Sequence, residues 1–326
     1  MLLNSERRIR TVCGDISPQS LGHIQCHEHI YLRKGPGSIA HPALCMEDLD
    51  RSARELSDYR AAGGSAIVDA QPGFFGRDPE KLQALSQRTG VAIIAVTGFH
   101  KLAFLEDAAY TALPEQQLLA LFTGEITEGM LNPAGIPTGI RAGLVKAAFE
   151  EGGLSNPIYR KLLSAAAGAA ADTGVSILVH TEKNTDIWEL LRFFQSFGIA
   201  PARVLICHLD RTRSDAGYHK ALLQSGCYLC YDSINRTKYL SHAAELALLK
   251  DVLSDGWEDQ IVLSLDTTNE RLRAYNAKDM GLDYILQNYI PILRKNGITD
   301  EQLCKMCRIN NAKILTMQIN LKEKQL

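Results

Sequence analysis

The segment GHIQCHEHI at residues 22–30 combines a short apolar run with two histidines that flank a glutamate. Seven further apolar runs recur along the chain, and a helical pattern follows each of them. Because these runs are rich in Val, Ile and Leu without clean alternation, they are typical of strands buried on both faces of a parallel sheet. The eight predicted strands are GHIQCH (22–27), SAIVDA (65–70), VAIIAVTG (91–98), GIRAGLVK (139–146), VSILVH (175–180), RVLICH (203–208), CYLCYD (227–232) and QIVLSLD (260–266).

Capping residues mark the ends of the helices between these strands. Asp78 and Asn156 each precede a proline, which is typical of an N-cap followed by the first helical position. Gly90 and Gly174 fall where the same two helices are expected to end.

Eight strand-then-helix units without a change of composition predict an α/β fold, a single (β/α)8 TIM barrel spanning residues 1–326. Such barrels typically need about 250 residues plus insertions, so the length of 326 residues fits one of them. Residues 1–20 are expected to lead into the barrel, and residues 99–135 to form an excursion over its mouth. A doubly wound open sheet is the alternative, but no segment resembles its glycine-rich phosphate loop.

Composition and charge narrow the class of function. The formal net charge of −2, without a basic stripe, makes nucleic acid and anionic membrane poor expected partners. The N-terminal segment has no apolar signal region and no long apolar run follows, so neither secretion nor membrane spanning is expected. Eight irregularly spaced cysteines fit the reduced thiols of a cytoplasmic protein better than a disulfide framework.

Rare polar residues fall at the predicted carboxyl ends of the strands, where barrels of this kind carry their chemistry. His27 and His29 end strand 1 and share one face, with Cα atoms roughly 6.6 Å apart, so both can bind one divalent cation. Glu28 between them points the other way and is expected to be a structural acid. His180 and His208 end adjacent strands and are expected to share a second cation.

Asp266 and Lys146 complete the predicted metal centre. Asp266 ends strand 8, beside strand 1 once the barrel closes, where it can bind the first cation. An ammonium group next to two cations would be repelled, so we expect CO2 to carbamylate Lys146, which then bridges both cations as a carboxylate. Zinc suits these ligands, and manganese, iron and cobalt also fit them. Each residue alone has a structural interpretation, but six ligand-type residues at the ends of five strands indicate a binuclear site.

These motifs resemble those of the phosphotriesterase-related metallohydrolases of the amidohydrolase superfamily. The resemblance covers nearly the whole chain, through GDISPQSLGHIQCHEHI (14–30), GLVKAAF (143–149), LVHTE (178–182), ICHLDR (206–211) and LSLDTT (263–268). It implies that one metal is bound by the two strand-1 histidines and the strand-8 aspartate. It further implies that the histidines of strands 5 and 6 bind the other metal, and that carboxylated Lys146 bridges the two.

Two adjacent cations activate a bridging hydroxide, which attacks an ester while one metal polarises its carbonyl or phosphoryl oxygen. We expect Asp266 to take the proton and deliver it to the leaving oxygen. Asp210 is a candidate to pass this proton outward, and its alternative is an ion pair with Arg211 or Arg213 at the rim.

Three local runs resemble the branch of the family that acts on phosphorylated sugar lactones: VTGFHK (96–101), YHK (218–220) and YDSINRTKY (231–239). In that branch a lysine after strand 7 contacts the substrate phosphate, and Lys238 matches its position. The neighbouring side chains expected to help in substrate binding are Tyr239, Arg236 and Lys101.

The chain also departs from this branch. The arginine expected three residues after Asp266 is Asn269 here. Arg271 and Arg273 follow closely, and each of them, like Lys238, is either a contact for the phosphate or a solvated loop charge.

The sequence therefore predicts a hydrolase that opens a small sugar lactone, with a phosphorylated aldono-1,4-lactone as the first candidate. One alternative is a phosphotriesterase, or another lactonase or esterase, on the same metal centre. A second alternative is a non-catalytic binding protein, against which the intact ligand set argues. The expected partner is a small-molecule substrate, and the oligomeric state stays open, with a homodimer compatible with the sequence.

Overall fold

Eight parallel strands form a nearly closed barrel with the helices on its outside, which confirms the predicted TIM-barrel class. The computed structural model describes residues 7–277 and 280–318, so residues 1–6 of the expected lead-in lie outside the described residues. A short antiparallel hairpin precedes the barrel. The hairpin strands are β1 (Ile9–Thr11) and β2 (Gly14–Ile16), and the barrel strands are β3 (His23–Glu28), β4 (Gly64–Asp69), β5 (Ala92–Gly98), β6 (Leu144–Phe149), β7 (Ile177–Thr181), β8 (Val204–Cys207), β9 (Tyr228–Tyr231) and β10 (Ile261–Leu263).

The described α-helices lie around this barrel and in its loops. They are α1 (Pro36–Ala40), α2 (Leu49–Ala61), α3 (Pro79–Thr89), α4 (Ala108–Ala112), α5 (Glu115–Thr127), α6 (Pro157–Thr173), α7 (Ile187–Ser196), α8 (Leu209–Thr212), α9 (Ala216–Gln224), α10 (His242–Ser254), α11 (Arg273–Asn276), α12 (Ile290–Lys295), α13 (Asp300–Cys304) and α14 (Asn310–Leu315). Two π-helical turns, Ile285–Tyr289 and Lys305–Ile309, precede α12 and α14. Within residues 7–277 and 280–318, no helix combines the length and apolarity that crossing a bilayer requires.

The predicted helix caps are confirmed at α3 and α6. The Asp78 carboxylate accepts a hydrogen bond from the amide of Lys81, and the Asn156 side chain caps the first turn of α6. Gly90 and Gly174 end these helices in the left-handed region, with φ of 70° and 72°. Glycine adopts this conformation without the steric cost that a Cβ atom imposes.

The fourth barrel strand begins later than predicted, which corrects the expected strand at residues 139–146. Strand β6 covers Leu144–Phe149, so Lys146 is its third residue and not its last. Gly139 has a positive φ of 74°, and a Cβ atom on Gly143 would lie 2.5 Å from the carbonyl oxygen of Arg10. Residues 139–143 therefore form a tight connection that passes close to β1 before the strand starts.

The apolar core has two layers. Side chains inside the barrel, such as Ile24, Val68, Leu178 and Val262, form one buried cluster. The outward-facing strand residues and the inner faces of the helices form the other cluster. Because both faces of the strands are buried in apolar contacts, the polar groups of a site are confined to the strand ends.

Glu28 closes the barrel between its last strand and its first. Its carboxylate is fully buried and accepts hydrogen bonds from the amides of Leu265 (2.8 Å) and Thr267 (3.1 Å). The hydroxyl of Ser264 donates to the same carboxylate at 2.7 Å. Burial raises the pKa of Glu28 to about 7, although these three hydrogen bonds act in the opposite direction. The predicted structural acid thus fixes the segment that carries Asp266.

We expect Glu28→Gln to lower the free energy of unfolding by about 2–4 kcal/mol, because the new amide group faces buried N–H and O–H donors that then lack an acceptor. Urea unfolding followed by circular dichroism measures this change. Glu128→Gln, at an exposed position, is the control and should unfold like the wild type. Equal stability of both variants would contradict this role of Glu28.

Candidate metal centre and substrate cavity

Six side chains predicted to bind metal lie together, five of them at or next to the carboxyl ends of barrel strands and Lys146 in the middle of β6. None of them is more than 8% exposed. They are His27, His29, Lys146, His180, His208 and Asp266.

The distances between their polar atoms define the geometry of the centre. One nitrogen each of His27 and His208 and an oxygen of Asp266 all lie within 4.8 Å of one another. Nε2 of His29 lies 3.4 Å from Oδ1 of Asp266. Nζ of Lys146 lies 3.1 Å from Nε2 of His27. The structure therefore brings donors from five strands to one point, which fits a set of metal ligands.

Asp232 is a buried residue of this site that the sequence analysis did not select. Its two carboxylate oxygens lie 2.8 Å from Nδ1 of His27 and 2.8 Å from Nδ1 of His208. Burial raises the pKa of Asp232, but the two imidazoles outweigh it and bring this pKa well below its usual range. With Nδ1–H of each ring donated to Asp232, both Nε2 lone pairs face the centre, as a divalent cation requires. The sequence feature that could have identified Asp232 is its position as the last residue of the predicted strand CYLCYD (227–232).

Glu182 orients a third histidine in the same way. Its Oε1 lies 3.0 Å from Nε2 of His180, and Nδ1 of His180 lies 2.9 Å from Nε2 of His208. His180 therefore presents Nδ1 to the centre, while His27 and His208 present Nε2. Burial lowers the pKa of His180 to about 4, so the ring is neutral and able to bind a cation at pH 7. The donor set of imidazoles and a carboxylate fits divalent metal ions.

Lys146 is fully buried in this centre. Its amine contacts Nε2 of His27, and within the described part of the chain no carboxylate lies within 4.0 Å of it. Burial lowers the pKa of Lys146, because the charged form loses its hydration. This lysine thus lacks the ion pair that normally accompanies a buried ammonium group.

The two oxygens of the Asp266 carboxylate have different neighbours. Oδ1 faces His29, while Oδ2 lies 2.9 Å from Arg211 and 3.2 Å from Arg236. Burial raises the pKa of Asp266, but these neighbours, Arg236 first, hold it well below its usual range. The backbone of Asp266 has a φ of 50°, and its amide donates to the carbonyl of His27 at 3.0 Å. This strained conformation directs one oxygen to the histidines and the other to the guanidinium groups.

Asp210 has neither of its two predicted partners. Its buried carboxylate accepts hydrogen bonds from the amide of Ser233 (2.7 Å) and from the Ser233 hydroxyl (3.3 Å). Arg211 instead pairs with Asp266, and the guanidinium of Arg213 lies 3.5 Å from the ring centre of Tyr218. Asp210 therefore fixes the loop after β9.

A cavity of about 470 Å³ opens above the predicted metal ligands. Five of the six predicted substrate-binding residues line it, and they are Lys101, Arg236, Lys238, Tyr239 and Arg271. The sixth, Arg273, lies outside the cavity and pairs with Asp283 at 2.9 Å and Asp58 at 3.3 Å. Its charge is used to hold the chain after β10, so the prediction for Arg273 is corrected.

The positively charged side chains that line the cavity differ in whether a carboxylate neutralises them. Lys238 is exposed, and within residues 7–277 and 280–318 no carboxylate lies within 4.0 Å of its amine. Lys101, in contrast, pairs with Glu182 at 2.6 Å and lies 3.6 Å from Glu150. Arg271 donates to the carbonyl of Ile234, and its burial lowers its pKa to about 9. Lys238 is thus an exposed cation that is available to an anionic substrate group.

The side chain of Asn269, which stands where an arginine was expected, connects two loops. Its side-chain amide donates to the carbonyls of Pro42 (2.9 Å) and Cys45 (3.0 Å), outside the residues that line the main cavity. This position therefore connects two loops and offers no charge to a substrate.

Comparison with known proteins gives one consistent result. A family model described as the phosphotriesterase family matches residues 7–315. The phospho-furanose lactonase of Mycoplasmopsis synoviae is 30% identical over 319 residues, which cover 93% of this chain and 90% of that protein. The crystal structure of a lactonase from Listeria monocytogenes gives a TM-score of 0.86 at 26% identity and covers 96% of this chain and 100% of that one. The organophosphorus hydrolase from Deinococcus radiodurans gives a TM-score of 0.80 at 28% identity, covering 97% and 99%.

We expect Asp232→Asn to weaken the binding of zinc by roughly 10- to 100-fold. Its amide oxygen can serve only one of the two histidines, and the amide NH2 would force the other ring to turn its lone pair away from the centre. Competition with a chelating dye measures the apparent Kd. Asp255→Asn, an exposed position that pairs with Lys220, is the control. Unchanged zinc affinity in Asp232→Asn would contradict the orienting role.

Proposed function

The chain belongs to the phosphotriesterase family, as the resemblance of its motifs predicted, and from this premise we propose that it opens a phosphorylated sugar lactone. It is a metal-dependent hydrolase of the lactonase type. The finer assignment is an aldono-1,4-lactone with a phosphate on a terminal carbon. The observation that carries this assignment is the unpaired cation of Lys238 at a cavity whose floor holds the predicted metal ligands.

The family resemblance supports the assignment of the metal ligands. His27, His29 and Asp266 would hold one divalent cation and His180 and His208 would hold the other, with a carboxylated Lys146 as a shared ligand. Zinc is our first choice of metal, and manganese, iron and cobalt suit the same ligands. Such cations supply Lewis acidity that polarises the substrate carbonyl and activates water at neutral pH.

The chain's own residues then move the proton. Asp266 lies at the centre with Oδ1 toward His29, within reach of water that attacks there. Because Arg211 and Arg236 make its carboxylate a weak base, a proton taken by Asp266 is readily given up to the leaving alkoxide. Arg211 and Arg236 also keep Oδ2 turned away from the metal ligands, so the two oxygens keep separate roles.

Carboxylation of Lys146 is supported by its burial without a carboxylate partner among the described residues. An amine in that position costs free energy when it is charged, and reaction with CO2 replaces it by an anion. That anion would lie among imidazoles that face a common point, so it would offset the charge of the cations.

A phosphotriesterase is the second candidate, favoured by the similarity to the organophosphorus hydrolase. The polar lining of the cavity favours the lactone, since Lys238 and Arg271 have no partner in a neutral triester. A cytoplasmic location is supported by the eight cysteines, all of which are free thiols. A small-molecule substrate, no nucleic-acid partner and a homodimer remain predictions from the sequence.

We expect the zinc-loaded protein to open phosphorylated aldonolactones with a kcat/KM higher than for their unphosphorylated counterparts or for aryl phosphotriesters. A pH-indicator assay on matched pairs of compounds measures the three rates. Efficient turnover of triesters with no lactone opening would reverse the order of the two candidates.

Lys238→Ala tests the phosphate contact. We expect kcat/KM to fall roughly 10-fold or more on phosphorylated lactones only, because one charge-assisted hydrogen bond is lost, worth about 1.5–3 kcal/mol. Lys220→Ala, whose amine is already paired with Asp251, is the matched control. An equal loss on both groups of lactones, or no loss, would remove Lys238 from the phosphate site.

Lys146 has its own test, which does not depend on activity. Protein reconstituted with zinc and isotopically labelled bicarbonate should give a carbamate carbon resonance in its NMR spectrum, and Lys146→Met should lack it. Lys161, which donates to backbone carbonyls, provides the control variant Lys161→Met, in which the resonance should persist. A wild-type spectrum without this resonance would disprove the modification.

A further inference from the structure

His100 is a buried residue of the cavity to which no role has been assigned so far. It follows β5 and lines the cavity together with His29 and His180. Its ring centre lies 5.0 Å from that of His180 and 6.5 Å from that of His29. His100 therefore lies beside two of the predicted metal ligands.

The tautomer of His100 is fixed by a backbone contact. The amide of Lys101 donates a hydrogen bond to Nδ1 of His100 at 2.7 Å. A backbone amide is always the donor, so Nδ1 must carry a lone pair. The hydrogen of the neutral ring consequently lies on Nε2.

Nε2 of His100 has no hydrogen-bond partner among residues 7–277 and 280–318. The ring is otherwise held by aromatic neighbours, with Phe104 edge-on at 5.1 Å and Phe75 at 6.5 Å. These aromatic contacts hold the imidazole in place and leave its Nε2–H group unused. A neutral donor that is held in place beside the cavity is suited to an oxygen acceptor of a bound molecule.

We propose that His100 donates a hydrogen bond from Nε2 to the ester group of the bound lactone and thereby contributes to its hydrolysis. This inference rests on the proposed lactonase function and adds a catalytic residue to it. His100 contacts the ester, whereas Lys238 contacts the phosphate, so the two residues recognise different ends of the substrate. A neutral imidazole suits the ester oxygen because a developing negative charge there gains from a donor already in position.

The test uses zinc-loaded, full-length variants of His100. His100→Phe keeps the ring but removes the donor, and we expect kcat/KM to fall about 100-fold on phosphorylated and unphosphorylated lactones alike. His100→Gln places an amide N–H near the position of Nε2 and should recover most of this loss. His100→Asn places its amide nitrogen near Nδ1 instead and should not recover it. His242→Phe, at an exposed histidine at the start of α10, is the control.

The zinc content of each variant distinguishes a hydrogen bond to the substrate from an indirect effect through loss of the metal. Wild-type zinc content together with loss in His100→Phe and recovery in His100→Gln supports the proposal. Unchanged kcat/KM in His100→Phe, loss of zinc, or loss that glutamine does not recover would each overturn it. Wild-type protein that opens no lactone would instead disprove the proposed function, and that result comes from the wild-type rate alone.

Discussion

The carboxylate of Glu28 connects the first and the last strand of the barrel, β3 and β10. Strands β3 and β10 are separated by more than two hundred residues, and the hydrogen-bonded strand order runs from β10 to β3 without pairing these two. Glu28 spans this seam by accepting hydrogen bonds from the amides on either side of Asp266. Because those amides have no other acceptor among the described residues, the position of the Asp266 carboxylate depends on this buried contact. The glutamate between the two histidines thus connects the closure of the fold to the geometry of the site.

A second set of carboxylates determines which nitrogen of each histidine faces the centre. Asp232 receives Nδ1–H from two rings, and Glu182 receives Nε2–H from a third. An imidazole can bind a cation only through its unprotonated nitrogen, so these acceptors determine the ligand set before any metal arrives. The guanidinium groups of Arg211 and Arg236 do the same for Asp266, because they engage one oxygen and leave the other to the centre.

Much of this site follows from local sequence, because a parallel barrel brings all its strand ends to one rim. His27, His29, His180 and His208 were predicted from their position at the end of apolar runs, and the structure places them together. Contacts between distant segments were harder to predict. Glu182 and His100 lie within motifs that were recognised, but the ion pair of Glu182 with Lys101 and the contact of the His100 ring with the His180 ring join segments that are distant in the sequence. The position of Arg273 depends on Asp58 and Asp283, which no periodicity connects to it. The start of β6 depends on the close approach of β1 at Gly143, which is also a non-local contact.

One edge of the cavity entrance is held in place by the contacts of Asn269, and another edge is formed by exposed side chains. The tether from its side chain to the carbonyls of Pro42 and Cys45 holds the loop after β3 against the loop after β10. The exposed side chains of Lys238 and Tyr239 form another edge of the cavity, the free edge. Evolution can therefore exchange residues on the free edge to admit a different molecule while the tethered edge and the chemistry beneath it stay in place.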